Sequence, residues 1–317
     1  MSKRSLIILT GPTAVGKTKL SIETARMLNA EIISADSMQV YKYMDIGTAK
    51  ITKEEMEDIT HYMVDELEPD EEFNVVVFKK MALKYMDEIY KKGKIPLIVG
   101  GTGFYIQALL YDIDFAENDD DGGKIRAELE YLAISKGADY LYQELAKVDE
   151  ESAKEIHPNN IKKVIRALEY FKLTGQKISE HNKEQRKKES PYNFLYLVLN
   201  DNRQLLYDRI EKRIDIMIEN GLVEEVKSLK DKGYTKDLVS MQGLGYKEIL
   251  DYLDGSCTLD EAIYILKRDT RHFAKRQLTW FRREKVTTWI DKSQFKNDDE
   301  ILNYIKMLAI EKGIVKS

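Results

Sequence analysis

Cysteine and histidine are scarce in this chain of 317 residues, which has one cysteine and four histidines. A single cysteine, Cys257, cannot form a disulfide within the chain, and no zinc-binding spacing such as Cys-x-x-Cys occurs. The 17 glycines and 5 prolines are too few for a collagen-like or proline-rich chain. No apolar run approaches the roughly 18 residues that a membrane helix needs. We therefore expect a globular cytoplasmic protein that does not bind to or cross a membrane.

Length and charge narrow the possibilities further. At roughly 150 residues per domain, the chain is long enough for about two structural units with a sizeable core. The net charge of −5 argues against nucleic-acid binding only as an average over the whole chain. Local clustering of Lys and Arg decides phosphate binding, and these residues concentrate in the last third of the sequence.

Short apolar segments alternate with a helical pattern in the N-terminal third. Residues 6–10, 31–35 and 95–99 have the composition of buried strands, and residues 17–29 carry apolar side chains on one helical face. Strands and helices that alternate with short turns predict a parallel sheet with crossover helices. The predicted fold class is α/β, with a parallel sheet flanked by helices.

The middle of the chain shows only helical patterns. They cover residues 124–136, 139–145 and 161–173, after an acidic turn at residues 119–123. The charged stretch at residues 183–188 is predicted to be an exposed loop. Because no strand interrupts this part, we interpret it as a helical insertion in the α/β domain.

A strand-like pattern resumes at residues 192–199. Long helices are predicted over residues 203–232 and 259–283, followed by a last strand at residues 286–290. The predicted domains are a discontinuous catalytic domain of residues 1–115 and 191–317, and a helical insertion of residues 116–190.

A glycine-rich loop follows the first predicted strand and precedes the first predicted helix. It matches the pattern G-x-x-x-x-G-K-[ST] of phosphate-binding loops (P-loops) in the context that this pattern requires. Glycine lets backbone N–H groups turn around phosphate oxygens, while a lysine and the helix N-terminus add positive charge. The loop is predicted to bind a polyphosphate, with Thr18 as the Mg²⁺ ligand. Its residues are Gly11, Pro12, Thr13, Ala14, Val15, Gly16, Lys17 and Thr18.

Asp36 stands at the end of the second predicted strand, whereas the third strand runs into Gly100 without an acidic residue. A nucleotide-hydrolysing enzyme with this loop needs an acidic residue at such a strand end to hold Mg²⁺. Ligands of parallel sheets bind beyond the carboxyl ends of the strands, so Asp36 is predicted to face the loop as a base. The alternative interpretation is that Asp36 only caps the turn after the strand.

The sequence resembles the tRNA dimethylallyltransferases, also called tRNA isopentenyltransferases, over nearly all of residues 11–289. Besides the loop, the matching segments are residues 34–41, 44–50, 99–102, 156–159, 166–169, 243–246 and 274–280. The resemblance implies transfer of a dimethylallyl group from dimethylallyl diphosphate to the exocyclic amine of the adenosine 3′ of a tRNA anticodon. It also implies Mg²⁺ as cofactor and release of pyrophosphate.

The same resemblance implies roles for individual residues. Asp36 matches the general base, which would take a proton from a weakly nucleophilic amine. Thr102 matches a residue near the adenosine, although it could simply form a turn. Either Arg209 or Arg213 corresponds to an arginine that contacts the diphosphate, or both belong to a solvated helix face.

Several segments match regions that contact tRNA in the family. They are Asp36, Ser37, Met38 and Gln39; Thr102; Lys162, Lys163, Val164, Ile165 and Arg166; and Met241, Gln242, Gly243, Leu244, Gly245 and Tyr246. Either Lys124 or Arg126 corresponds to a further tRNA contact. The helix after residues 157–159 is expected to be capped by Asn159 or Asn160.

Residues 267–285 form the strongest charge cluster, with eight basic and two acidic residues. On a helix, Leu266, Ala274 and Phe281 fall on an apolar stripe and the basic residues on another face. Such a face can follow phosphates, so Arg271, Lys275 and Arg276 are predicted to contact tRNA. The alternative is a plain solvated basic helix.

Two other functions compete with the transferase. A P-loop nucleotide or small-molecule kinase would share the loop and an Asp, but would have no use for the basic helix. An RNA-binding protein that retains the loop would bind tRNA without catalysis. The predicted partners are tRNA and dimethylallyl diphosphate, and the chain is expected to act as a monomer.

Overall fold

The structure, a computed structural model, describes residues 3–115, 123–185 and 187–316. It divides into two compact units, one made of Met1–Leu110 with Pro191–Ser317, and a second made of Tyr111–Ser190. The acidic turn expected at residues 119–123 lies outside the described residues except for Gly123.

Six parallel strands form one sheet in the first unit, in the order β3-β2-β4-β1-β5-β6. The strands are β1 Arg4–Thr10, β2 Ala30–Ser34, β3 His61–Tyr62, β4 Ile95–Gly100, β5 Tyr192–Asn200 and β6 Thr288–Asp291. The predicted α/β class and parallel sheet are confirmed. Sequence patterns missed β3, because two residues are too few to show any periodicity.

Helices in the first unit connect these strands. They are α1 Lys17–Met27, α2 Lys53–Met56, α3 Val75–Lys91 and α4 Gly103–Leu110 before the second unit. Those after it are α10 Arg203–Glu219, α11 Leu222–Asp231, α12 Tyr246–Leu253, α13 Leu259–Phe281 and α14 Asp298–Glu311. The single helix predicted over residues 203–232 was wrong: it is two helices, since Gly221 has φ 95° and ends the first.

The second unit is entirely helical in its described part. Its helices are α5 Lys124–Lys136, α6 Ala138–Val148, α7 Glu150–Glu155, α8 Ile161–Thr174 and α9 Ile178–Gln185. The exposed loop predicted for residues 183–188 was wrong in its first part, because α9 continues to Gln185. Contacts made by α9 within its own unit, such as Lys183 with Glu151, are invisible to a charge pattern.

The core of the second unit is small and apolar. It contains Leu129, Leu141, Leu145, Ala153, Val164, Ile165, Ala167 and Leu168. Asp149 is buried at its edge, where it accepts hydrogen bonds from the backbone and hydroxyl groups of Ser152 and Ser179. Burial opposes ionisation, but these four hydrogen bonds outweigh it and lower the pKa of Asp149.

The sheet places three chain segments beside one another at its carboxyl edge. β4 lies between β2 and β1, so the segments that leave these three strands are neighbours. Residues 6–9 of β1 are fully buried, which fixes the loop that follows β1 against the core. None of the described helices combines the length and apolar composition that spanning a membrane requires.

Replacing Leu145 by Ala tests the core of the helical unit. Leu145 is fully buried, so the Leu145→Ala substitution is expected to lower the free energy of unfolding by about 2–5 kcal/mol. Ile134 is 86% exposed in the same unit, and Ile134→Ala is expected to change stability by less than about 0.5 kcal/mol. Denaturant unfolding followed by circular dichroism measures both. Equal losses for the two variants would contradict the assigned core.

Candidate active site

Residues 11–16 connect the end of β1 to the start of α1, and Lys17 and Thr18 are the first two residues of α1, so the loop lies between a strand and a helix as predicted. Gly11 has φ 151° and Gly16 has φ 91°, where side chains are strained. A Cβ at Gly11 would also lie 2.6 Å from the carbonyl oxygen of Leu199. The two fixed glycines of the motif are therefore required by the backbone conformation and by the close approach of β5.

Lys17 begins α1, and its ammonium group donates to the carbonyl oxygens of Gly11, at 2.9 Å, and Pro12, at 2.8 Å. Desolvation lowers the pKa of Lys17 to about 8; the positive charge of Arg213 lowers it further, and the carboxylate of Asp36 opposes both. Lys17 forms no ion pair within the part of the chain that the structure describes. A partly buried cation whose partners are neutral carbonyl groups favours the binding of an anion.

Arg213 and Arg209 differ in their surroundings on α10. Arg209 forms an ion pair with the buried Asp201, at 2.6 Å. Arg213 is partly buried, which lowers its pKa, and has no carboxylate within ion-pair distance among the described residues. Its charge acts on Lys17. Arg213 therefore adds positive charge beside the loop, while Arg209 is already neutralised.

Asp36 lies two residues beyond β2. Its contacts fit both interpretations of its sequence position, a cap of the turn and a carboxylate that faces the loop. Its Oδ1 accepts the backbone N–H groups of Met38, at 2.9 Å, and Gln39, at 3.4 Å, so the carboxylate does cap the turn. No hydrogen bond reaches Oδ2 from the described residues. The side chain is partly exposed and lines a cavity that also contains Lys17 and Thr18. The carboxylate thus faces the loop.

This cavity, of about 70 Å³, lies on one face of the sheet. Ser34 of β2 is paired with Val99 of β4, and Ile32 of β2 with His61 of β3, so these four side chains share that face. No sequence pattern points to His61. Burial lowers its pKa, and its Nδ1 lies 2.9 Å from the carbonyl oxygen of Ile59.

Thr102 is placed next to Asp36 by backbone contacts. Its N–H donates to the carbonyl oxygen of Ala35, at 3.2 Å, and its own carbonyl accepts from the first turn of α4. A Cβ at Gly100 would lie 2.3 Å from that same oxygen of Ala35, so the two segments are in close backbone contact. Thr102 does form a turn, and the same turn holds it beside Asp36.

The residues after Asp36 are packed against the segment 241–246. The side-chain amide of Gln39 donates to the carbonyl oxygens of Thr48 and Ala49, both at 3.3 Å, so it is engaged within the protein. A Cβ at Gly243 would approach Met38 to 3.1 Å. The side chains of Met241 and Tyr246 are fully buried and face the core, so they do not offer a contact to tRNA. Ser37 is partly exposed.

Glu225 of α11 holds together two further segments that resemble the family. Its carboxylate accepts the backbone N–H groups of residues 45–47 and the hydroxyl of Tyr246. Burial and this negative charge raise the pKa of Tyr246. A Cβ at Gly47 would lie 2.6 Å from the Tyr246 ring. The segments 44–50 and 243–246 are therefore joined, and Gln242 and Leu244 lie at their surface.

In the helical unit, Asn160 caps the N-terminus of α8. The first two turns of α8 carry three cations. Lys162, Lys163 and Arg166 are exposed, without an ion pair to any described residue. Positive charge in the first turn of a helix opposes the helix dipole, so Lys162 and Lys163 do not serve the stability of α8. Val164 and Ile165 lie in the core of this unit, which makes them packing residues.

Lys124 and Arg126, the two alternatives on α5, are distinguished by one ion pair. Arg126 binds Glu169 through two nitrogens, at 3.0 Å and 2.6 Å. Lys124 is exposed and has no ion pair to a described residue. Of the two cations, Lys124 is therefore the one whose charge is not paired with a described residue.

α13 has the two faces that its sequence predicts. Leu266, Ala274 and Phe281 are buried, whereas Lys275 and Arg276 are exposed and line a surface depression. Arg271 is paired with Glu211 of α10, so its charge is partly neutralised.

Gln277, which the predicted stripe omits, is also buried on the inner face of α13. Its Oε1 accepts the N–H of Thr13, at 2.9 Å. That backbone amide was expected to face phosphate and is instead occupied. The signal that could have identified Gln277 is a polar residue three positions after Ala274 and four before Phe281, on a helix face that is otherwise apolar.

Two family models and several curated proteins match this chain. The IPP transferase family matches residues 39–284, and the isopentenyl transferase family matches residues 4–72. The chain is 62% identical over 311 residues to the tRNA dimethylallyltransferase of Lachnoclostridium phytofermentans, covering 98% of this chain and 99% of that protein. It is 54% identical to the tRNA dimethylallyltransferase of Clostridioides difficile, over 96% and 97% of the two chains.

Solved structures show the same likeness. The full-length tRNA isopentenylpyrophosphate transferase of Bacillus halodurans is 46% identical, with a TM-score of 0.73 and 98% of each chain covered. A eukaryotic dimethylallyltransferase acting on tRNA is 31% identical, with a TM-score of 0.82 over 98% of this chain and 79% of that one. On these matches, this chain is a member of the tRNA dimethylallyltransferase, or tRNA isopentenyltransferase, family of prenyl-transferring enzymes.

Proposed function

We propose that this protein transfers the dimethylallyl group of dimethylallyl diphosphate to the exocyclic amine of the adenosine 3′ of a tRNA anticodon. The single observation that carries the proposal is the shared cavity of Asp36, Lys17 and Thr18. A proton acceptor and an anion-binding loop stand side by side there, as displacement of a diphosphate by an amine requires. The names of the relatives supply tRNA as the acceptor and dimethylallyl as the transferred group. The diphosphate as leaving group is our inference from the anion-binding loop.

In the proposed reaction, the amine nitrogen forms a bond to the allylic carbon while the bond from that carbon to the diphosphate oxygen breaks. The electrons of the broken bond leave with pyrophosphate. The extra proton of the amine passes to Asp36, whose Oδ2 is free of hydrogen bonds within the described residues. Asp36 is held for this role by the two backbone N–H groups that its Oδ1 accepts.

The negative charge that grows on pyrophosphate is stabilised by fixed positive charge. Lys17 and Arg213 provide it, together with the loop N–H groups after Thr13 and the N-terminus of α1. Thr102, beside Asp36, is the candidate for orienting the amine.

Mg²⁺ is proposed as the cofactor. No group of three or more acidic, His or Cys side chains that could hold a metal occurs among the described residues. This fits a Mg²⁺ ion that takes one or two oxygen ligands from protein and the others from a diphosphate and water. The exposed hydroxyl of Thr18 in the first turn of α1 would hold it, and the bound ion would neutralise diphosphate charge.

The tRNA is proposed to contact cations from both units. Lys275 and Arg276 on α13, and Lys124, Lys162, Lys163 and Arg166 in the helical unit, are exposed and carry no ion pair with a described residue. Such charges add affinity for phosphates without reading sequence. The adenosine itself is expected to be extruded from the anticodon loop toward Asp36 and Thr102.

Asp36→Asn tests the base. Asn can still accept the turn N–H groups, but it cannot take a proton, so turnover is expected to fall about 10²- to 10⁴-fold while tRNA affinity stays within about twofold. Radiolabelled dimethylallyl diphosphate, Mg²⁺ and unmodified tRNA give the rate, and nucleoside mass spectrometry identifies the prenylated adenosine. Unchanged turnover in Asp36→Asn would exclude Asp36 as the base. Label transfer from ATP, without transfer from the prenyl donor, would instead indicate a kinase.

The lowered pKa of Lys17 predicts a pH dependence. Binding of an anion favours the charged ammonium, which is present below about pH 8 and lost above it. Relative to Lys17→Arg, which stays charged, wild-type affinity for pyrophosphate is expected to fall about tenfold between pH 7 and pH 9. Titration calorimetry at both pH values measures this ratio. Because pyrophosphate's own ionisation is common to both proteins, a constant ratio would contradict the role of Lys17.

Lys162→Gln with Lys163→Gln tests the tRNA contact of α8. The double variant is expected to weaken tRNA binding and reduce the slope of log affinity against log salt by roughly 1 to 2. Filter binding at several salt concentrations gives the slope. Lys154→Gln is the control, because Lys154 is also exposed but is paired with Glu150. A slope that changes equally in the control and the double variant would rule out a specific contact at α8.

A further inference from the structure

Gln277 makes two hydrogen bonds that join the two loops of the site. Its Oε1 accepts the N–H of Thr13 in the loop 11–18, at 2.9 Å. Its Nε2 donates to the carbonyl oxygen of Gly101, at 3.1 Å, directly before Thr102. The side chain is 6% exposed, so both bonds lie away from competing water.

The packing around Gln277 leaves no spare room. A Cβ at Gly101 would lie 2.1 Å from Gln277 Nε2, and a Cβ at Gly103 would lie 2.1 Å from the ring of Trp280, also on α13. Since glycine stands at both positions, α13 rests directly on the backbone of the segment 101–103. A small displacement of α13 would therefore move this segment with it.

An uncharged amide side chain of this length satisfies both partners at once. Thr13 offers a donor and Gly101 an acceptor, and an amide accepts through its oxygen while donating through its nitrogen. A carboxylate cannot donate to Gly101, and a thioether of similar length makes neither bond well. The residue type at this position thus fits a bridge more specifically than it fits general packing.

We propose that Gln277 is a positioning residue that holds the loop 11–18 and the segment 101–102 at a fixed separation. The inference rests on the proposed function, in which the loop binds the leaving group and Thr102 faces the accepting amine. Displacement requires donor and acceptor to be aligned, and a misplacement of about 1 Å can cost about 10²-fold in rate. Gln277 does not contact either substrate in this proposal.

Gln277→Met tests the bridge in the full-length protein, with Gln107→Met as the matched control. Gln107 is a partly buried Gln of α4 whose amide donates to Glu284, which belongs to neither loop. Hydrogen exchange measured by mass spectrometry reports on the bridge without any reaction. Peptides covering residues 11–18 and 100–103 are expected to exchange faster in Gln277→Met than in Gln107→Met, with the rest of the sheet unchanged.

Kinetics separate positioning from substrate binding. Gln277→Met is expected to lower kcat by about 10- to 100-fold, with tRNA affinity within about twofold of wild type and Gln107→Met unchanged. Gly101→Ala displaces the Gln277 side chain and is expected to give a similar loss. The double variant is expected to lose little more than either single variant, because both disrupt one contact.

The results distinguish the two levels of inference. A wild-type protein that transfers no dimethylallyl group to tRNA would contradict the proposed function, while the exchange measurement would still decide whether Gln277 joins the loops. Unchanged exchange in both loops, or a kcat equal to that of Gln107→Met in an active wild-type background, would overturn the role of Gln277. Losses of Gln277→Met and Gly101→Ala that multiply fully in the double variant would also overturn it.

Discussion

The pairing of β2, β4 and β1 as parallel neighbours is the constraint on which the site depends. It delivers Asp36, Thr102 and the loop 11–18 to one edge of the sheet although they are far apart in sequence. The contact continues past the strands, since Ala35 donates to Val99 and accepts from Thr102. The proposed proton acceptor and the proposed anion-binding loop are thus held at this edge by backbone hydrogen bonds, which do not depend on side-chain conformation.

Positive charge without a paired carboxylate in the described part of the chain is concentrated at this edge of the sheet. Lys17 has only carbonyl partners and Arg213 has no ion pair among the described residues, whereas Arg209 and Arg271 on the same or a neighbouring helix are paired. Burial, and after it the nearby positive charge of Arg213, disfavours the charged form of Lys17 and lowers its pKa, so holding the charge here costs free energy. In the proposed reaction, binding of a diphosphate would offset that cost, and the folded protein would thereby favour the leaving group.

Close backbone approach explains several glycines that the motifs contain. Gly47, Gly101 and Gly103 each stand where a Cβ would meet a side chain from another helix, namely Tyr246, Gln277 and Trp280. The matched segments are therefore joined in pairs: 44–50 with 243–246, and 99–102 with 274–280. Residues that resemble tRNA contacts by position, such as Met241 and Tyr246, instead hold these segments together from inside.

The sequence alone determined the α/β class, the glycine-rich loop between β1 and α1 and the position of Asp36 after a strand, because these features are local: strand periodicity, glycine spacing and residue order carry them. It also predicted α5 with its observed bounds and the two faces of α13. Only the tertiary structure distinguished Arg213 from Arg209 and Lys124 from Arg126, since ion pairing depends on partners from other parts of the fold. It alone revealed Gln277, because the two loops that this side chain joins are more than 170 residues distant from it, or more than 260 in the case of Thr13.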